Sequence, residues 1–343
     1  MTRNATVLLM LLTGLSIPLL FLVNVMLGSV DIPMSAIVDT LLGEDSGNHI
    51  WQNIILKSRV PQALTAIMAG AGLAVSGLLM QTVFRNPLAG PSVLGISSGA
   101  SLGVAFVVLL SGGFGGVALS KLGAVGEITV TLSAIVGAML IMALITLAAQ
   151  KVRGNVTLLI MGVMIGYVAN AIIGVLKFFS AEEDIRAYVI WGLGSFARVS
   201  GNQTMVFITI MTILLPLTLL LIKTLNLLLL GDSYARNLGL DIKRARITVI
   251  TASGILVAVV TAYCGPIVFL GLAVPHLCRG LFRTSNHAVI LPASMLVGGC
   301  LALLCNLIAR MPGFEGALPV NSVTALVGAP VVIWVLFNKK RSV

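Results

Sequence analysis

Charge is what this sequence has least of: Asp, Glu, Lys and Arg make up 9% of its 343 residues, against 58% hydrophobic residues and a mean hydropathy of +1.09. A soluble chain carries roughly a quarter of its residues as charges, so this composition excludes the soluble globular class and indicates a membrane protein. Cysteine is scarce as well. Cys264, Cys278, Cys300 and Cys305 fall in or beside apolar segments and form no CxxC pair, so they read as small core residues and not as a disulfide frame or metal site. His49, His276 and His287 are far apart, and none has a His or carboxylate at helical spacing to share a metal. His276, directly after Pro275 in an apolar run, reads as structural. No GxxxxGK[ST] loop occurs, so the chain does not itself cradle and hydrolyse ATP. Gly95-Ile96-Ser97-Ser98-Gly99 imitates a GxSxG elbow, but no strand precedes it; its serines read as packing or pore-lining hydroxyls.

Strict alternation is missing too, which disfavours a barrel. The apolar runs instead continue for roughly 20 residues, the length that crosses about 30 Å of hydrocarbon as a helix. This predicts an all-α polytopic membrane protein with ten spans, near 6–28, 60–84, 93–111, 127–150, 155–179, 203–230, 246–264, 267–282, 287–309 and 319–338. The first has one early base, Arg3, and no small-x-small cleavage site, so it is kept as a span. A polar, acidic segment fills 29–57, a charged one runs from Glu182 to Arg198, and Arg85-Asn86-Pro87 ends the second span. The chain reads as a single transmembrane domain over 1–343. All eleven Asp and Glu lie in loops or at helix ends. An ion-driven carrier normally needs titratable groups near the midplane, which disfavours the alternative function, an ion-coupled secondary transporter of a small organic solute.

The net charge of +10 is explained by loop asymmetry and needs no nucleic-acid partner. With the N-terminus inside, 14 of the 21 bases fall on the cytoplasmic side, among them Arg3, Arg85, Lys151, Arg153, Arg246, Lys340 and Arg341. An even number of spans returns the C-terminus to that side. Small residues recur every three or four positions (Gly95, Gly99, Gly103; Gly162, Gly166; Gly70, Ala74, Gly77), which is the pattern of close helix packing in lipid. Gly90-Pro91 and Gly265-Pro266 interrupt the two halves in comparable places and hint at an inverted repeat.

The densest charge is in Gly231 to Arg246, GDSYARNLGLDIKRAR, with four bases and two acids in sixteen residues. Asp232 or Ser233 can cap a short helix, Gly239 can stop it in the left-handed region, and Asp241 can cap the next span. With no ATP site of its own, an active transporter of this kind needs an outside motor. The stretch reads either as that motor's docking surface or as a solvated basic loop.

Several stretches together resemble the FecCD-type permeases of bacterial ABC importers for iron-siderophores, haem and cobalamin. They are Arg59-Val60-Pro61, AGAGLAVSGLLMQTVFRNPLAGPSVLGISSGASLG at 69–103, GDSYARNLGLDIKRAR, CGPIVFLGLAVPHLCR at 264–279 and LPVNSVTALVGAPVVIW at 318–334. The resemblance covers nearly the whole chain. It implies a multi-pass permease of the bacterial cytoplasmic (inner) membrane with both termini in the cytoplasm. Two permease subunits, as a homodimer here, would meet around a central path. A cytoplasmic ABC ATPase dimer would bind ATP and Mg²⁺, and a substrate-binding protein would dock from outside. No cofactor is expected on this chain.

By the same resemblance, 223–246 is the cytoplasmic coupling segment and Asp232, Ser233, Tyr234, Ala235, Arg236, Asn237, Leu238 and Gly239 are its ATPase contact, with Tyr234 and Leu238 as the apolar pair. Arg59 and Arg310 match external arginines that meet carboxylates of the binding protein. Gln62 stands where many relatives have a second arginine, which shifts the expected charge toward Lys57. Those arginines also read as ordinary interfacial side chains. The fifth span is expected to line the path, with Gly154, Asn155, Val156 and Thr157 as a cytoplasmic gate, and Asn170 facing either the path or a neighbouring helix. Tyr188, Trp191 and Phe196 read as an outer gate or an interfacial aromatic belt.

Overall fold

A computed structural model describes residues 3–28, 30–44, 48–113, 124–152, 154–311 and 317–339. Arg153, Lys340 and Arg341, counted above among the bases of one side, lie outside them. The described residues are helical throughout, without a strand. Among the described residues seven helices are long and apolar enough to cross a membrane, and three shorter apolar helices bring the number to ten. Each falls on one expected span, with Asn202–Leu219 filling only the first part of 203–230.

In chain order, α1 is Arg3–Met26, α2 Met34–Leu42 and α3 His49–Ile54, which runs through a π turn, Ile55–Arg59, into α4, Val60–Phe84. A 3₁₀ turn, Pro91–Leu94, leads to α5, Ile96–Gly113, then α6, Ala124–Lys151, α7, Asn155–Phe178, and α8, Glu182–Gly192. α9 is Asn202–Leu219, α10 Ile222–Leu229 and α11 Asp232–Asn237. The remaining elements are α12, Ile242–Cys264, α13, Phe269–Phe282, α14, His287–Ala309, and α15, Val320–Lys339.

One expectation changes, and two segments for which no element was predicted contain helices. The expected single span over 203–230 is two helices. After Pro216 the ladder tightens to i→i+3 bonds, Leu220 N to Leu217 O and Leu221 N to Thr218 O, and the chain turns into the short α10. Within 29–57, MSAIVDTLL forms a helix that buries Ala36, Ile37 and Thr40 and ends at Gly43 in the left-handed region. The segment from Glu182 opens as a helix, because three acids in the first turn favour its N-terminal dipole.

The bundle is built around α4, whose residues from Ala69 to Phe84 are buried throughout. It packs on α12, α13 and α14. Small residues allow this: a Cβ on Gly77 would run into the carbonyl of Gly271, and one on Gly298 would meet the carbonyl of Gly70.

Neighbour relations repeat between the halves. α4 lies on α14 as α12 lies on α6; α5 contacts α6 and α7 as α13 contacts α14 and α15. On the axis of that exchange, Ser76 of α4 and Ser253 of α12 bond reciprocally. Their hydroxyls are 2.5 Å apart and each lies 3.1 Å from the other's carbonyl, so two protons serve three contacts. The repeat is legible in the sequence once the axis is known. Ser76-Gly77-Leu78-Leu79 answers Ser253-Gly254-Ile255-Leu256, and GPSVLG at 90–95 answers GPIVFLG at 265–271. The hint from Gly90-Pro91 and Gly265-Pro266 is thus an inverted repeat that relates α4–α7 to α12–α15.

Candidate coupling surface, outer arginines and central groove

At the Arg85 end, α11 is a six-residue helix held from both sides. Gly231 precedes it at φ 108° and Gly239 follows at φ 87°, conformations that side-chain-bearing residues rarely adopt. Gly239 is therefore the left-handed stop, and Asp241 is the cap of α12, its side chain accepting from Arg244 N at 3.1 Å. Neither Asp232 nor Ser233 caps α11: the N-cap is Gly231, and no side chain bonds the first turn. Asp232 instead accepts from Arg85 at 2.6 Å and from Arg246 at 2.5 Å. Its carboxylate is held between the end of α4 and the start of α12, two cations being stronger partners than a backbone amide. Arg85 also donates to Leu228 O at 3.1 Å. With Ala235 fully buried beneath, Tyr234 and Leu238 project outward, 69% and 61% exposed. Arg236 and Asn237 are exposed beside them. Arg85 and Arg246 escaped notice as parts of this site, although an acid among clustered bases was a usable signal.

At the Arg59 end the arrangement is reversed. Lys57 is exposed on the π turn. Arg59 is only 1% exposed and donates to the carbonyls of Val25, Met26 and Val30, closing the chain that follows α1. It is therefore a buried structural cation in this conformation and is not presented at the surface. Arg310 is half-buried, and its Nη2 and that of Arg59 both approach Gly28. Burial, and then the neighbouring Arg59 charge, lower its pKa. Gln62 lies inside, donating to Asn306, which donates to Asn24, which in turn bonds the carbonyls of Leu20 and Leu303. An arginine there would need a different burial site.

Between the ends, the 3₁₀ turn, α5 and α7 enclose an open groove of about 250 Å³, lined by Ser92, Gly95, Ser98, Gly162, Val163, Gly166, Tyr167 and Asn170. α7 approaches closely because a Cβ on Gly95 would lie 3.0 Å from the carbonyl of Gly162 and 3.2 Å from Gly166 N. Asn170 thus faces the groove. Ser92 and Tyr167 were not anticipated; they join only because the 3₁₀ turn folds back on α7. Val156 and Thr157 are exposed in the first turn of α7. Asn155 begins that helix, and its side chain lies outside the described residues. Tyr188, Trp191 and Phe196 are 7%, 2% and 0% exposed. They pack under α8, with the Tyr188 and Trp191 rings 6.3 Å apart, and form neither a belt nor an open gate. Burial raises the pKa of Tyr188. Lys177 Nζ lies 4.8 Å from the Tyr188 ring centroid.

Ten apolar helices in an inverted repeat, a clamped surface helix at one end and a polar groove between α5 and α7 define a helical membrane permease. Residues 15–338 match the FecCD transport family, and the chain belongs to it. It is 34% identical over 328 residues to the hemin transport system permease protein HmuU of Yersinia pestis, spanning 94% of this chain and 95% of that one. It is 38% identical over 292 residues to the vitamin B12 import system permease protein BtuC of Klebsiella pneumoniae, spanning 85% and 83%. A solved inward-facing structure assigned to the metal-chelate type of ABC transporter superimposes with a TM-score of 0.82 at 29% identity, over 96% of this chain and 99% of that one.

Proposed function

We propose that this chain is the permease subunit of an ATP-driven importer in a bacterial cytoplasmic membrane, moving a bulky metal chelate into the cell. Haem and vitamin B12, named for its relatives, and iron-siderophores define the substrate class. Two copies enclose the path, with the groove of α5 and α7 on its wall. The Arg85 end and both termini face the cytoplasm, where separate ATPase subunits carry ATP and Mg²⁺. A substrate-binding protein meets the Arg59 end.

The observation that carries this reading is α11: two large apolar side chains more than 60% exposed on a short helix whose position is fixed by Gly231, Gly239, buried Ala235 and the Arg85–Asp232–Arg246 clamp. A rigid helix transmits a partner's rigid-body motion, which a mobile loop absorbs. Tyr234 and Leu238 are a turn apart and fill one cleft. On the opposite face, exposed Lys57 and half-buried Arg310 set the register of docking and its on-rate more than its final affinity.

Tyr234→Asp with Leu238→Asp, assayed with the ATPase in nanodiscs, is expected to reduce stimulated ATP hydrolysis at least about tenfold, the scale of losing an apolar hot spot. The variant's thermal unfolding should match that of the parent. Unimpaired stimulation in a folded variant removes α11 from the coupling role.

A further inference from the structure

The coupling helix is tied to the body by its own clamp and also through a short connecting helix. The chain breaks at Leu220–Leu221, so α10 and α11 form an arm that leaves the end of α9 and re-enters the bundle at α12. Leu225 and Leu228 bury one face of α10, and Leu229 and Leu230 are exposed. Two polar holds tie the arm to the body. One is the surface clamp of Arg85 on Leu228 O and Asp232. The other is half-buried: Asn226 Nδ2 donates to Asn286 Oδ1 at 3.0 Å, Asn226 Oδ1 accepts from His287 N at 2.9 Å and lies 3.0 Å from His287 Nδ1, and His287 Nε2 lies 2.8 Å from the Thr82 hydroxyl on α4. His287 and Thr82 are each 2% exposed.

Proton counting makes the inner hold a two-position device. The backbone bond from His287 N fixes Oδ1 as the atom that Asn226 turns toward the ring. Oδ1 can only accept, so Nδ1 carries the proton and Nε2 accepts from Thr82. But Thr82 Oγ1 is also 2.8 Å from Leu78 O in its own helix. One hydroxyl proton has two acceptors at equal distance. When His287 draws away, Thr82 turns back to Leu78, and α4 keeps no unsatisfied hydroxyl. Beside this contact, Lys223, Asn226, Leu229, Leu230 and Asn286 border an open cavity of about 640 Å³, room for the arm to shift.

We propose that Asn226, His287 and Thr82 form a latch that sets the arm against α4 and α14, and that it opens and closes as the coupling helix moves. These are positioning residues, and their link to transport rests on the coupling role given to α11 above. The latch itself does not, because it is measurable in the permease alone.

Hydrogen exchange on the full-length permease in nanodiscs, read over 222–230, is the direct test. Asn226→Ala and the isosteric Thr82→Val should each speed exchange there by about two- to tenfold, the effect of losing one net hydrogen bond. Thr82→Ser should match the parent. Asn226→Asp keeps an acceptor for both N–H groups of His287 but loses the donation to Asn286, so exchange should rise less than in Asn226→Ala. Unchanged exchange in both Asn226→Ala and Thr82→Val, with thermal unfolding showing an intact fold, overturns the latch. In the assembled transporter, Asn226→Ala should raise substrate-independent ATP hydrolysis, with ATPase co-purification unaffected. If instead the Tyr234/Leu238 variant keeps its coupling, the docking role of α11 falls, and the exchange result still decides the latch.

Discussion

The two ends of this molecule use arginine for the same physical purpose and present opposite surfaces. At the Arg85 end, Arg85 and Arg246 grip Asp232, and the gripped helix holds Tyr234 and Leu238 out into solvent. At the Arg59 end, Arg59 is itself buried, directing its donors to three main-chain carbonyls. In both places the charged group fixes backbone. What differs is whether anything exposed stands on that backbone. Charge density along a membrane chain therefore locates the ends of spans and the braces at those ends, and the contact residues must be sought beside the charges.

The sharpest way to break this contrast is to remove the brace at each end. Arg59→Ala leaves three carbonyls without their donor in a buried site, and is expected to cost roughly 2–4 kcal/mol of stability in thermal or denaturant unfolding of the purified permease. A loss no larger than that of a surface substitution would mean Arg59 is free to serve a partner. Asp232→Asn comes next. Its ion pairs are 39–41% exposed on the Arg85–Asp232 side and half as exposed at Arg246, so the loss should stay near ~1 kcal/mol. High salt should shrink it further. Arg310→Met removes a half-buried cation whose pKa burial and Arg59 already lower. Stability should stay level or rise by a few tenths of a kcal/mol, since no anion pairs with it among the described residues. A large loss would reveal a partner for it. Tyr234→Asp with Leu238→Asp should change stability least of all, within about 0.5 kcal/mol, while abolishing coupling. That separation of stability from coupling is the strongest evidence the comparison can receive.

The spans were legible because hydrocarbon imposes a length and a composition, and ten apolar runs answered it. The coupling helix was legible because Gly239 and Asp241 are punctuation with a fixed geometric meaning. Its brace was not, since Arg85 lies 147 residues from Asp232 and nothing local pairs them. The role of Arg59 was hidden for a related reason. A lone base at a span end usually reaches for water, and only the fold shows three carbonyls closing around it. The break that separates α10 from α9 was hidden too: Leu217 to Ile222 is unbroken hydrophobe except for Thr218, and hydropathy carries no record of where a helix changes direction. The groove was half visible. Asn170 stood out as polar in α7, whereas Ser92 and Tyr167 needed the 3₁₀ turn to bring them alongside.

The Ser76–Ser253 contact has a mechanical corollary. When two related halves rock against each other, displacement grows with distance from their common axis and vanishes on it. A short reciprocal bond placed anywhere else would have to break at each stroke. Where α4 meets its own counterpart α12, the bond ties the two halves together at the one place where each offers the other the same group. Polarity at the centre of the bundle thus sits where motion asks least of it.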